Sequence, residues 1–223
     1  VALLAPVLGQ RADAGGRRKA WLGGATLLLV ACMLGMFAVR ADPAYFVLGA
    51  ALVSLGSVAS EIAGVNYNAM LVRVSTPRTI GRVSGLGWGL GYLGGIVALV
   101  LVIVATEADW WGMPTDDGLA YRVIAVGCGL WAVAFAWPLF RYVPEAPPAA
   151  DRPRVGFLAG YVVLWRDIKA LFRSARPTFW FLVASAVYRD GLSAVFTFGA
   201  VIAAVSFGFG TQEVMVFGIA ANL

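Results

Sequence analysis

The chain has 223 residues, of which 61% are hydrophobic and only 13% charged, whereas soluble domains carry roughly 25% charged residues and 45–50% apolar ones. Its formal net charge is +5, and it holds two Cys and no His. This balance excludes a soluble globular domain, a disordered chain and a disulfide scaffold, and the lack of His removes the commonest general base and metal ligand.

A bilayer crossing needs roughly 20 apolar residues. In chain order, Val1–Gly9 is the tail of one span, and Ala20–Val39, Tyr45–Leu71, Val83–Thr106, Ala120–Tyr142 and Thr178–Ala204 are long enough to cross. Val214–Leu223 begins one more. The expected fold is an all-α polytopic membrane helical bundle. The chain opens on Val1 inside an apolar run, without an initiator Met or signal peptide, and stops inside another. It is expected to be a fragment of a longer membrane protein.

The loops set the orientation. Basic residues crowd loop 10–19 (Arg11, Arg17, Arg18, Lys19), loop 72–82 (Arg73, Arg78, Arg82) and segment 141–176, so that 14 of the 17 lie in alternate loops. The intervening loops hold Arg40 and Asp42, then Glu107, Asp109, Asp116 and Asp117. Such alternation is the positive-inside pattern, which makes the basic loops cytoplasmic. It accounts for the net charge without nucleic acid. Trp110 and Trp111 fall where an outer interfacial belt would lie, and a packed loop explains them equally well. The 15 Arg against two Lys suggest a high-GC genome and hence a bacterial cytoplasmic membrane.

The long cytoplasmic segment has two parts. Pro144–Pro153 is a Pro-rich, extended linker. In Phe157–Arg173, the residues Phe157, Tyr161, Leu164, Trp165, Ile168, Leu171 and Phe172 recur at helical spacing, with Arg166, Asp167, Lys169 and Arg173 between them. This predicts an amphipathic helix that lies on the inner membrane surface or packs against the protein's own inner face.

Seven glycines fall in Ser84–Gly95 and its approach, among them Gly87, Gly91, Gly94 and Gly95. The GxGxxG match here is no dinucleotide site, because that fingerprint needs a soluble strand–turn–helix unit. Gly87, Gly91 and Gly95 are four apart and share a helix face, which Gly94 widens, so they are expected to pack helix against helix.

Charges inside a membrane are costly and mark pathways. Ser54, Ser57, Glu61, Gly64 and Asn68 form one stripe by helical spacing, and a small polar stripe in an apolar helix should face a cavity. Asn66 faces away from that stripe and is expected to hydrogen-bond between helices. Arg189 and Asp190 sit mid-span and point about 100° apart, so each needs another partner. Ser193 and Thr197 share the Asp190 face, and Gly191 offers a place for a local break.

The loop Gly9-Gln10-Arg11-Ala12-Asp13-Ala14-Gly15-Gly16-Arg17-Arg18-Lys19 resembles the signature between the second and third helices of the major facilitator superfamily, although Ala14 replaces the usual basic residue. Counted from it, the linker at 143–176 falls after the sixth helix, where that superfamily joins its halves. Asn68-Ala69-Met70-Leu71, then Ser84-Gly85 to Gly91-Tyr92-Leu93-Gly94-Gly95, then Tyr188-Arg189-Asp190-Gly191 are, as an ordered set, similar to the UMF1/Atg22-like, vacuole-effluxer branch. The resemblance implies residues 1–142 as the N-terminal half bundle, 143–176 as the linker with its amphipathic helix, and 177–223 as the start of the C-terminal half. It implies a secondary transporter working by alternating access, exporting amino acids or a similar small solute.

On that resemblance Glu61, Ser57, Asn68, Arg189, Asp190 and Ser193 line the substrate or proton path. Glu61 binds a proton or a substrate amine, or is a Glu paired to an Arg for structure alone. A Glu61–Arg189 contact across the halves is one arrangement; pairing to helices outside the chain is another. Gly9, Asp13, Gly16, Arg17 and Arg18 then form a gating loop, or serve only as positive-inside anchors. No cofactor, metal or catalytic residue is expected. The expected partners are a small-molecule substrate, the bilayer and the remaining helices of the full-length protein. A membrane enzyme is disfavoured by the lack of His and of a GxSxG nucleophile, and ATP drive by the lack of a Walker A sequence. A transporter-like scaffold or sensor without transport activity is the alternative.

Overall fold

A computed structural model describes residues 17–107, 118–145 and 157–221. The described chain is helical, with no strand among the described residues. Helix α1, Arg18–Gly35, continues into a 3-10 turn at Met36–Ala38. The next helix is prepared locally: Asp42 Oδ1 accepts from the Ala44 amide at 2.7 Å, and Pro43 fixes the first turn of a second 3-10 piece, Pro43–Tyr45. Helix α2, Phe46–Val74, follows and ends at Ser75, whose backbone is extended. The Thr79 hydroxyl then accepts from the Thr76 amide at 2.9 Å and opens helix α3, Ile80–Glu107.

Gly118 adopts φ +67°, a left-handed conformation that favours glycine, immediately before helix α4, Leu119–Tyr142. The amphipathic helix α5 spans Phe157–Ser174. Helix α6, Arg176–Phe207, carries Pro177 in its first turn, where a missing amide costs nothing. It ends at Gly208 (φ +70°), and the Phe209 amide caps the Ala203 carbonyl at 3.1 Å. In helix α7, Thr211–Ala221, Glu213 reaches back to the Gly210 amide at 2.8 Å.

Five of these helices, α1, α2, α3, α4 and α6, are long and apolar enough to cross a membrane. They correspond to the five full spans read from the sequence, and the all-α polytopic membrane bundle stands. Arg176–Phe207 runs unbroken through Gly191, so the local break that this glycine could allow is not made. A single mid-helix glycine weakens a helix by only about 1 kcal/mol relative to Ala, too little to open a 32-residue span.

The chain divides into two compact units. The first contains α1, α2, the start of α3 and α4. Here α1 and α2 run antiparallel and approach through small residues. A methyl group at Gly35 would lie 3.2 Å from the Leu52 side chain, one at Gly49 3.3 Å from Val39, and one at Gly56 3.5 Å from Cys32. Gly129 brings α4 onto α1 in the same way, 3.4 Å from Met33. In lipid there is no hydrophobic drive between helices, so contact depends on such close approach. Along α2 the buried residues are Gly56, Ala59, Asn66 and Met70.

Asn66 corrects an expectation. Its side chain donates to Ile62 O of its own helix at 2.8 Å, and its Oδ1 is buried without a partner among the described residues. The back-bond to the carbonyl one turn earlier competes with bonding to another helix.

Both ends of the α1–α4 pair are tied by cations. Lys19 Nζ donates to Phe140 O at 2.9 Å and to Val143 O at 2.8 Å, the orphan carbonyls at the α4 C-terminus. At the opposite end, Arg122 Nε donates to Phe37 O at 2.7 Å and its guanidinium lies 4.7 Å from the Phe37 ring centre. The antiparallel pairing of α1 and α4 agrees with the alternation of their flanking loops.

The second unit contains the rest of α3 with α5, α6 and α7. Within it α6 packs on α7, where a methyl at Gly199 would lie 3.4 Å from the Phe217 ring. A methyl at Gly218 would lie 3.6 Å from Leu99 of α3.

Candidate functional site

The polar stripe of α2 lies opposite its packed face. Ser54, Ser57, Glu61 and Asn68 are exposed and Gly64 is half-buried, while Ala59 and Met70 on the far side are buried against the bundle. The separation follows from helical spacing: residues 56, 59, 66 and 70 turn one way and 54, 57, 61 and 68 the other. Ser57 Oγ donates to Val53 O at 2.9 Å, so its proton is already used within the helix. Glu61 projects outward as the one carboxylate of α2.

A cavity of about 310 Å³ opens between α1, α2 and α4. Thr26, Ser60 and Tyr67 supply hydroxyls to a wall otherwise built from residues such as Leu22, Gly64 and Phe140. Gly64 belongs to both the stripe and the cavity; Ser57, Glu61 and Asn68 do not line it. Tyr67 also meets α3, where its hydroxyl would be 3.5 Å from a methyl on Gly87.

Arg189, Asp190 and Ser193 are exposed near the middle of α6, in the second unit, whereas Glu61 belongs to the first. Arg189 has a neighbour that sequence reasoning missed: its guanidinium lies 6.0 Å from the ring centre of Trp88 on α3, and Trp88 in turn lies 6.1 Å from Tyr92. A guanidinium over an indole face is attracted by the ring quadrupole. The partner comes from another helix, so spacing along α6 carries no sign of it.

Of the expected gating loop, Gly9, Asp13 and Gly16 lie outside the described residues, as do Trp110, Trp111 and most of the Pro-rich linker. Arg17 is exposed and its carbonyl accepts from the Trp21 amide at 3.1 Å, starting α1; Arg18 is half-buried. In the same stretch Lys19, besides capping α4, donates its amide to Glu145 Oε1 at 3.1 Å. It thereby links the basic loop to the start of the linker. The available signal was a lysine at a helix start, on the side where the last helix before the linker ends.

The glycine face of α3 is more open than expected. A methyl at Gly91, Gly94 or Gly95 would meet nothing within 4 Å among the described residues, while Gly87 meets Tyr67. Among the described residues, no group of three or more His, Cys, Asp or Glu is placed to hold a metal ion.

Residues 74–223 match the family described as vacuole effluxer Atg22 like. The chain is also similar to a protein of Bacillus subtilis (strain 168) named as an uncharacterized MFS-type transporter, YxiO, at 25% identity over 200 residues. That match covers 88% of this chain and 45% of the Bacillus protein, so the chain spans less than half of the relative's length. No solved structure matches it. Arg189, Asp190 and the α3 glycines fall within the family match; the Glu61 stripe precedes it.

Proposed function

The chain belongs to the Atg22-like vacuole effluxer family, and from that premise we propose that it is part of a secondary transporter working by alternating access in a bacterial cytoplasmic membrane. Its cargo is an amino acid or a similar small solute, and its movement is coupled to protons through Glu61 or Asp190. The observation that carries this reading is the α2 stripe. A carboxylate with Ser54, Ser57 and Asn68 occupies the side of a membrane-crossing helix that faces away from its packed partner. Insertion of such a charge costs roughly 2.5–3.5 kcal/mol at a membrane centre. A helix that keeps it there, turned away from the face packed among the described residues, has a use for it.

The second contribution comes from α6, which carries Arg189, Asp190 and Ser193 at mid-helix. Arg189 rests on Trp88, and Asp190 is left as the acid of that helix for proton or solute contact. Arg17 and Arg18, with Gly9, Asp13 and Gly16, serve as the gate at the inner end.

The test uses the full-length protein in proteoliposomes loaded with a mixture of labelled amino acids. Efflux is followed with and without an imposed pH gradient. Saturable, gradient-dependent efflux above empty liposomes supports the reading, and Glu61→Gln or Asp190→Asn should abolish the gradient dependence. Gradient dependence retained in both variants would remove the coupling role. Absence of flux from folded protein would turn the search to other solutes and favour a scaffold or sensor.

A further inference from the structure

Helix α5 and the first residue of α6 carry four cations within eleven residues, Arg166, Lys169, Arg173 and Arg176, against one anion, Asp167. The charges are not spread evenly around the helix. At about 100° per residue, Lys169, Arg173 and Arg166 fall within about 60° of one another, on one edge of the apolar stripe. Asp167 lies off that edge. The apolar stripe is open: Trp165 is 60% exposed, Phe172 39% and Ile168 37%. Among the described residues, no other helix of its unit packs extensively along α5.

Cations and rings on this segment are already associated. Lys169 Nζ lies 5.5 Å from the Trp165 ring centre, and the Arg176 guanidinium 5.3 Å from that of Phe172. Phe172 meets Phe179 edge-on at 5.1 Å, which joins the amphipathic helix to the first turns of the membrane-crossing helix α6. The basic edge is therefore held next to the point where α6 enters the bilayer, on the side that the charge bias of the loops makes cytoplasmic.

We propose that α5 is a binding element for acidic phospholipid headgroups of the cytoplasmic leaflet. Its apolar stripe enters the acyl boundary, and Arg166, Lys169, Arg173 and Arg176 hold the headgroup phosphates. Charge complementarity selects this occupant. The surface of an anionic leaflet is negative, clusters of Lys and Arg beside a membrane helix are drawn to it, and an amphipathic helix with aromatic residues on its apolar side lies in the interface. The rings screen the cationic stems from water while the charged ends remain available to phosphate. The inference needs only the membrane placement of α6 and does not depend on which solute is carried.

The test compares the full-length protein in nanodiscs of phosphatidylcholine mixed with phosphatidylglycerol. The readout is the phosphatidylglycerol retained on release, measured by native mass spectrometry. The wild type should enrich phosphatidylglycerol several-fold over the bulk mixture, and added salt should reduce the enrichment. The variant Arg166→Gln/Lys169→Gln/Arg173→Gln/Arg176→Gln should lose it. The variant Arg73→Gln/Arg78→Gln/Arg82→Gln, which discharges a different basic loop, should retain it. Equal loss in both variants, or no enrichment in the wild type, would overturn the proposal. Inorganic phosphate at matched concentration should not displace the lipid; complete displacement would point to a free-phosphate site instead. Should the fourfold variant fail to fold, a fluorophore on Ile168→Cys, at the middle of the apolar stripe, decides the matter once Cys32 and Cys128 are replaced by Ala. Quenching by phospholipids brominated near the headgroup end of the chain is expected, and no quenching contradicts the helix lying in the interface.

Discussion

The α1–α2–α4 group and helix α6 are about equally apolar, yet they use that character differently. In the first group glycines underlie several close approaches: Gly35 under Leu52, Gly49 under Val39, Gly56 beside Cys32 and Gly129 beside Met33. Helix α6 is 32 residues long, and Ala203 is its one buried residue among those described. Hydrophobicity places both in a membrane. Which helices touch is decided by where side chains are absent, because lipid competes on equal terms with any apolar side chain.

The strongest dependence on a glycine contact is expected at the α1–α4 crossing. Gly129→Leu should lower stability by about 3 kcal/mol, the upper range for overpacking a tight site, read as a fall in the thermal midpoint in detergent. Gly24→Leu is the matched control, since a methyl there meets nothing within 4 Å, and it should shift the midpoint little. Equal losses would mean that a glycine's contact with the neighbouring helix does not decide where a side chain is tolerated.

A smaller effect is expected where a cation ties the same two helices. Lys19→Met removes both charge-assisted bonds to the α4 carbonyls and should cost about 2 kcal/mol. Unfolding of that variant followed by denaturant titration gives the number directly, and a midpoint unchanged from wild type would show the cap to be without weight. The smallest effect belongs to the other region. Trp88 is 52% exposed, so Trp88→Leu should cost only about 0.5–1 kcal/mol through its contact with Arg189. A loss as large as that at Gly129 would place tight packing in the second unit as well.

Much of the fold was legible because span length and charge alternation are properties of the chain alone. Ala20–Val39 and Ala120–Tyr142 fall within two residues of the structural limits Arg18–Ala38 and Leu119–Tyr142. Helix α6 extends past the expected Thr178–Ala204 because Pro177 is compatible with its first turn and Gly208 supplies the stop. The amphipathic helix was equally legible from its spacing. Contacts were less so. Gly91, Gly94 and Gly95 stand out in sequence by their density yet meet nothing within 4 Å among the described residues, whereas Gly35 and Gly49, which stand alone in sequence, meet Leu52 and Val39. Nothing along a single helix tells which neighbour a glycine faces.

The candidate site divides along the same line. The separation of the Glu61 stripe from the packed face of α2 follows from period alone. The cation–ring contact between Arg189 and Trp88, and the Lys19 cap on α4, join residues far apart in sequence. A lysine counted as one of a loop's positive charges gives no hint of the two carbonyls it meets.

If the Glu61 stripe lines an aqueous path, cysteine labelling of the full-length protein will show it. Cys32 and Cys128, both free thiols, are first replaced by Ala. Single cysteines are then introduced as Ser57→Cys and Asn68→Cys on the stripe, and as Ala59→Cys and Met70→Cys on the packed face. In proteoliposomes a water-soluble maleimide should label the first two rapidly, with slower labelling in the presence of transported solute, and leave the second two untouched. If positions 57 and 68 are as unreactive as 59 and 70, the stripe faces lipid or protein, and the pathway does not run along α2.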